Sequence, residues 1–375
     1  MTNIKFNTLV LVVMAFNLFL QSSCKKEDTM PRSIKEACDD VVYPHIALGA
    51  SVGIVVGIIK NDKKSVFSYG DKELGKPGGL SSQSVFEIAS STKVFTAIAL
   101  ADMALKGELS LDDPIEKYLP ASVKISSRNG KKITLKQLAN HTSGLPALPT
   151  NMDKNAYNQY AGYSEEKMYD FLNNYSLSRD PGSEYDYSSP CFGLLGHILS
   201  RINGTDYETM ISNRVLKPLN MPHTSISFTD EQQKNLAPGY HGSEKVESWS
   251  KYMQPVVQGA GALLSNMDDM LTFLNAAMGT KNTSLKGAIT LSQQETFKVD
   301  KPEFYQNGIA MGWSLFDLND DEIIWKNGQN GGYSSFIGFN KTTKTGVVIL
   351  CNSSLNPDFF QSYMGFELLK QLKNL

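Results

Sequence analysis

The sequence predicts an α+β fold: one antiparallel sheet built from both chain ends, covered by the terminal helices, with a mainly helical sub-domain inserted between them. Three observations carry this expectation. β-Branched runs bounded by turn signals lie near both ends of the chain, at 51–69 and again at 322–351. From about Leu111 to Gly279 the pattern changes to helical patches and long polar loops. Helical spacing returns at the C-terminus, where Phe359, Phe360, Met364, Leu368, Leu369 and Leu372 share one face.

Residues 1–23 read as an export signal. Lys5 supplies a charge, Leu9 to Leu20 is apolar except for Asn17, and Ser22, Ser23 and Cys24 follow. The small-small-Cys ending resembles that of a bacterial lipoprotein signal, with Cys24 the lipidated first residue of the mature chain. Gln21 stands where leucine is usual in that pattern, with Leu20 one place earlier. The expectation is a chain exported from a bacterial cell to the periplasm or outer membrane and lipid-anchored at Cys24. Residues 24–44 hold a polar tether and a first helix, the latter over Pro31 to Asp40. Residues 45–375 form one domain, with its sheet part at about 45–106 and 285–375 and its helical insert at about 107–284.

Within that domain Ser51 to Lys60 and Ser65 to Tyr69 are strands joined by the turn Asn61-Asp62-Lys63-Lys64. Ser90 to Lys106 is apolar nearly all round and stops at Gly107, as a helix buried on every side does. Glu322 to Trp325, Tyr333 to Asn340 and Gly346 to Cys351 are three further strands. A last helix starts with Asn356 as N-cap and Pro357 at its first position.

Composition narrows the function. The 375 residues carry 36 Lys and Arg against 38 Asp and Glu, and 41% are hydrophobic. That balance excludes a disordered chain. It offers no basic excess with which to bind nucleic acid. No apolar run reaches the ~18–20 residues of a membrane span. Four cysteines are too few for a disulfide framework, and Cys38, Cys191 and Cys351 read as buried thiols. The five histidines lack metal-ligand spacing, so no metal site is expected.

Chemistry enters with Ser-x-x-Lys, which puts a hydroxyl and an amine on one helix face. A serine needs a base in reach to become a nucleophile, and a lysine serves only when its amine is neutral. The pattern occurs five times, at Ser22/Lys25, Ser23/Lys26, Ser90/Lys93, Ser164/Lys167 and Ser248/Lys251. The first two lie at the signal end, and Ser164 and Ser248 sit in polar stretches. Only Ser90 opens an apolar helix, where burial can discharge Lys93 and the helix N-terminus can hold an oxyanion.

Phe86-Glu87-Ile88-Ala89-Ser90-Ser91-Thr92-Lys93 resembles the active-site block of the serine β-lactamase and penicillin-recognising hydrolases. The similarity is to the class C β-lactamase branch, with its D-alanyl peptidases and esterases. It continues in order through His141-Thr142-Ser143-Gly144-Leu145, Tyr187-Ser188-Ser189, Gly259-Ala260-Gly261 and Lys326-Asn327-Gly328 to Gly331-Gly332-Tyr333. It spans roughly residues 45 to 355.

The resemblance implies a β-lactamase/transpeptidase-like fold and a serine hydrolase without metal or organic cofactor. It acts on a small-molecule or peptide substrate as a monomer. Ser90 is then the nucleophile, and Lys93 and Tyr187 move protons. The backbone N–H groups of Ser90 and Gln329 form the oxyanion hole, and Ser189, Lys326, Asn327 and Gly328 meet the substrate. Lys326 is expected at the end of its strand, binding a substrate carboxylate, and Gly328 leaves the strand edge open to substrate. The literal Lys344-Thr345-Gly346 triplet falls in a turn and is set aside. His141 has no evident acidic partner and reads as structural.

The main departure is Ser189, where the family has asparagine. A carboxamide both donates and accepts, whereas a hydroxyl is shorter and offers one donor. Ala89 replaces a frequent glycine and Asn327 a threonine. The implied substrates are β-lactams or D-alanyl peptides of the cell wall. The alternatives are a small-ester carboxylesterase, favoured by Ser189, and a β-lactam or wall-fragment sensor that acylates without turnover.

Overall fold

The computed structural model describes residues 32–153, 155–299, 305–318, 321–354 and 360–375. The export signal, Cys24 and the tether to Met30, and the Asn356-Pro357 cap, lie outside the described residues.

Among the described residues twelve strands form, here β1 to β12 in chain order: Gly53–Lys60, Lys63–Gly70, Val85–Glu87, Gly239–His241, Glu244–Val246, Leu264–Asn266, Phe297–Lys298, Gly308–Ile309, Ser314–Leu318, Asp321–Gln329, Ser334–Asn340 and Thr345–Cys351. Eight of them make one sheet in the order β2-β1-β12-β11-β10-β9-β8-β7. β1 joins the two chain ends. It pairs antiparallel with β2 on one side and with β12 on the other, from Ile54↔Cys351 to Lys60↔Thr345. The β1–β2 turn is Asn61-Asp62, with φ of 49° and 64°, the left-handed pair a two-residue hairpin requires. The α+β expectation therefore holds, with a large antiparallel sheet assembled from both ends.

β1 is apolar at almost every position because both of its faces are covered. Val55 and Ile59 enter one core with the buried helix Thr92–Leu105. Ile54, Val56 and Ile58 enter another, made with the terminal helices Ile34–Ala47 and Phe360–Lys373. On the first face the helix Met267–Ala277 lies over Gly57 and Gly346. A Cβ on Gly57 would sit 2.4 Å from Met267 Sδ, and one on Gly346 2.7 Å from Met278 Sδ.

Several element boundaries differ from expectation. The first helix is Ile34–Ala47, started by a capping box between Ser33 and Glu36 and continuing through Pro44 past Asp40. The buried helix starts at Thr92, after a single tight turn over Ala89–Ser91. Strands β3 to β9 were not foreseen, since two to five residues carry no readable alternation. β10 runs four residues beyond Trp325, because β11 continues to pair with it from Lys326↔Ile337 to Gln329↔Ser334. Lys326 thus lies inside a strand and not at its end. Asn327-Gly328 looks like a breaker, but the inter-strand bonds override it.

The helix Ser189–Asn203 packs on the turn Pro255–Ala260 backbone against backbone. A Cβ on Gly259 would fall 2.5 Å from Phe192 O and 2.9 Å from Gly196 Cα. Gly259→Ala should therefore cost about 1–3 kcal/mol by overpacking. Urea unfolding followed by circular dichroism checks this; an unchanged midpoint contradicts it.

Candidate active site

β3 ends at Glu87, and Ile88 N–H donates to Leu263 O at 3.0 Å, which carries the chain off the β3–β6 ribbon. Ala89 then takes φ +45°, so Ser90 follows a left-handed residue. This explains why glycine is frequent in the family there: alanine bears a left-handed backbone at a cost of roughly 1–2 kcal/mol. Ser335 Oγ donates to Ile88 O at 2.8 Å, and the Ser91 and Ser335 hydroxyls are 2.9 Å apart. The turn bearing Ser90 is thereby fastened to β11.

Ser90 Oγ accepts from Lys93 Nζ at 3.0 Å and from Tyr187 Oη at 2.9 Å. Lys93 Nζ also donates to Ala260 O at 2.7 Å. The Lys93 side chain is fully buried, and burial lowers its pKa from 10.5 to about 7. Lys326 Nζ lies 4.7 Å and Lys93 Nζ 5.2 Å from the centroid of the Tyr187 ring. Lys326 is itself buried. Its pKa is lowered chiefly by that burial and further by Lys93, while Tyr187 acts in the opposite sense. Ser90, Tyr187, Ser189 and Lys326 line one cavity of about 1320 Å³.

The backbone donors sit where the β10 edge is open. β9 stops pairing at Trp325↔Ser314, so Lys326 to Gln329 have no strand neighbour on that side among the described residues. Gly328 has a different task from the expected one. A Cβ there would lie 2.3 Å from Ile88 O and 2.8 Å from Ser90 N, so glycine lets β10 close on the Ser90 turn. Asn327 also lines the cavity, and its carboxamide donates to Ser362 Oγ at 3.1 Å, on the C-terminal helix. Strand alternation sends it to the face opposite Lys326. Ser189 and Tyr160 line the same cavity.

The set-aside residues are elsewhere. Lys344 is exposed at φ +47° in the β11–β12 turn, at the far end of that hairpin from Ser334 and Ser335. Ser164 caps a helix by accepting from Lys167 N–H, and Ser248 Oγ accepts from Lys251 N–H. His141 is buried at φ +60° and accepts from Ser188 N–H at 3.1 Å through Nδ1. Burial first, then Lys326 and Lys93, push its pKa well down, and its ring centroid is 4.5 Å from that of Tyr187. It backs the tyrosine and does not touch Ser90. Cys38, Cys191 and Cys351 are buried free thiols. Among the described residues no cluster of three or more His, Cys, Asp or Glu side chains could hold a metal ion.

Two participants were missed: the Ala260 carbonyl, which anchors Lys93, and Phe192, whose ring faces Lys93 Nζ at 5.8 Å. Gly259-Ala260-Gly261 was visible as a family block, but a carbonyl acceptor leaves no side-chain signature.

The sequence profile of the Beta-lactamase family matches residues 39–364. The chain belongs to the beta-lactamase family. Protein flp of Staphylococcus aureus (strain N315) is 29% identical over 333 residues, covering 87% of this chain and 64% of that protein. The chain thus spans less than two thirds of that relative. A Beta-lactamase of Escherichia coli (strain K12) is 24% identical, covering 90% of this chain and 93% of its own length. A class C beta lactamase from Rhodobacter sphaeroides superposes with a TM-score of 0.77 at 21% identity, over 90% of this chain and 99% of that one. The last match establishes the shared family fold.

A neutral Lys93 can accept the Ser90 proton and a charged one cannot. With the amine titrating at about 7, acylation should rise about tenfold per pH unit below that value and level off above it. Because the folded amine holds its proton more weakly than the unfolded one, fold stability should also rise from about pH 7 toward 10.5 through this group. A stopped-flow pH profile of Ser90 acylation checks the first expectation; a flat profile from pH 5 to 9 contradicts it.

Proposed function

We propose that this chain is a serine hydrolase working through an acyl-enzyme on Ser90, with β-lactams or D-alanyl peptides of the cell wall as substrates. One observation carries the reading: Ser90 Oγ lies within 3.0 Å of a buried, weakly basic lysine amine and 2.9 Å from a tyrosine hydroxyl. Oγ attacks the substrate carbonyl carbon as its proton passes to Lys93 Nζ. The bond from Oγ to that carbon forms, and the carbonyl oxygen becomes an oxyanion facing the N–H groups of Ser90 and Gln329. The carbon's bond to the leaving nitrogen or oxygen breaks as Tyr187 protonates it, and the proton held on Lys93 returns to Tyr187, so both groups regain their starting states. Water then attacks the acyl-enzyme by the same proton path, and the acid leaves. Lys326 at the cavity wall suits a substrate carboxylate.

A second reading is favoured by Ser189. A hydroxyl in place of the family's carboxamide is shorter and offers one donor, which suits a small-ester carboxylesterase. On the export signal at 1–23 we place the protein outside the cytoplasm, anchored at Cys24.

Purified mature protein is treated with a fluorescent penicillin and a fluorophosphonate, beside Ser90→Ala. Both probes should label wild type and neither the variant; signal retained in the variant removes Ser90 as nucleophile. Turnover of a chromogenic cephalosporin supports the first reading, and turnover of a short p-nitrophenyl ester alone supports the second. A penicillin adduct that persists for hours in the mass spectrum identifies a sensor.

A further inference from the structure

Glu87 lies three residues before Ser90, at the end of β3, and none of its surface reaches solvent. Among the described residues no lysine, arginine or histidine forms an ion pair with it. A buried carboxylate without a cation costs several kcal/mol unless donors surround it. Three do. The Ser248 hydroxyl and the Asn330 carboxamide donate to it, and Ser250 N–H donates at 3.3 Å. Burial raises its pKa, and these donors oppose the rise.

Asn330 directly follows Gln329, the last residue of β10. Its Oδ1 accepts from Gly332 N–H at 3.2 Å and from Tyr333 N–H at 3.0 Å, while its own N–H donates to Tyr333 O at 3.1 Å. Asn330 therefore closes its own turn, and its remaining donor goes to Glu87. An oxyanion hole needs two N–H groups aimed at one oxygen, and these two come from segments far apart in sequence. One is at Ser90, just beyond Glu87. The other is at Gln329, just before Asn330. Strand ends open more readily than strand centres, and the Asn330 turn directly follows Gln329 at such an end.

We infer that Glu87 is a positioning residue for acyl transfer, holding the Gln329 N–H in register with the Ser90 N–H through its bond to Asn330. Glu87 does not line the cavity and touches no reacting atom. Its influence is on the geometry of the oxyanion site, which every acyl donor uses alike. The inference rests on the acyl-enzyme reading given above.

The test uses the full mature chain as wild type, Glu87→Gln, Asn330→Ala and the double variant. Glutamine keeps the shape but turns an NH2 group toward donors. Asn330→Ala removes the partner from a half-buried turn that also lines the cavity, so its effect is read from hydrogen exchange at 329–333 and from equal slowing of two chemically unlike probes, and it remains informative if the buried substitution impairs folding. Each single variant should slow labelling of Ser90 by the fluorescent penicillin and by the fluorophosphonate by the same factor, about tenfold or more, a fraction of the effect of deleting an oxyanion donor. For whichever substrate wild type turns over, kcat should fall with KM within twofold. The double variant should be no slower than the slower single one, and hydrogen exchange at 329–333 should quicken in both singles. Unchanged labelling, slowing confined to penicillin, or additive losses would overturn the inference. Unchanged exchange in Glu87→Gln beside a normally labelled wild type would overturn it too, and leave the acyl-enzyme reading intact. Wild type that neither probe labels would overturn that reading instead, while the exchange data still decide whether Glu87 holds the turn.

Discussion

The site depends on an amine denied both water and a counter-ion. Lys93 sits in a helix whose residues are all buried except its last two, Ala104 and Leu105. Its Nζ meets one hydroxyl, one carbonyl and the faces of Tyr187 and Phe192. No carboxylate pairs with it among the described residues, so desolvation is left to set its charge. A carboxylate at hydrogen-bonding distance would hold the proton on the amine and end its use as a base. Lys326 also lies over the Tyr187 ring, and the Lys93 charge helps to lower its pKa.

That arrangement is held by backbone contacts more than by side-chain bonds. Gly328 lets β10 press on the Ile88–Ser90 turn, and Gly193, Gly196 and Gly259 let the Ser189–Asn203 helix press on the turn that ends at Ala260. Each contact fixes one polar backbone group of the site: the Ser90 N–H in the first case, the Ala260 carbonyl in the second. Ser335 and Glu87 then fasten the same segments through hydrogen bonds to β11 and to the end of β10. Distant parts of the chain are brought to ångström precision because no side chain stands between them.

The fold class was legible because its signals are strong: β-branched runs at both ends and a helix with no polar face. Ser90 and Lys93 were legible because only one Ser-x-x-Lys opens such a helix, and Tyr187 and Lys326 because family blocks follow in order. What escaped was carried by the backbone or by tertiary context. β7 to β9 are too short for alternation to register. β10 continues through Asn327-Gly328 because β11 supplies the bonds that local propensity withholds. Asn327 was assigned by motif position, yet strand alternation turns it to Ser362. Gly328 was read as space for substrate, and it lines the cavity, but a Cβ there would meet the Ser90 turn. Glu87 carried no signal of its own, since a glutamate before the nucleophile says nothing of a partner 243 residues away.

The central claim is a statement about one ionisation, and it can be read directly. Lysines reductively methylated with 13C and followed by NMR from pH 5 to 11, with Lys93→Arg to assign the resonance, report the Lys93 amine itself. The account predicts a midpoint near 7, well apart from the surface lysines, as burial without a counter-ion requires. A Lys93 resonance that titrates with the others above pH 10 would contradict it.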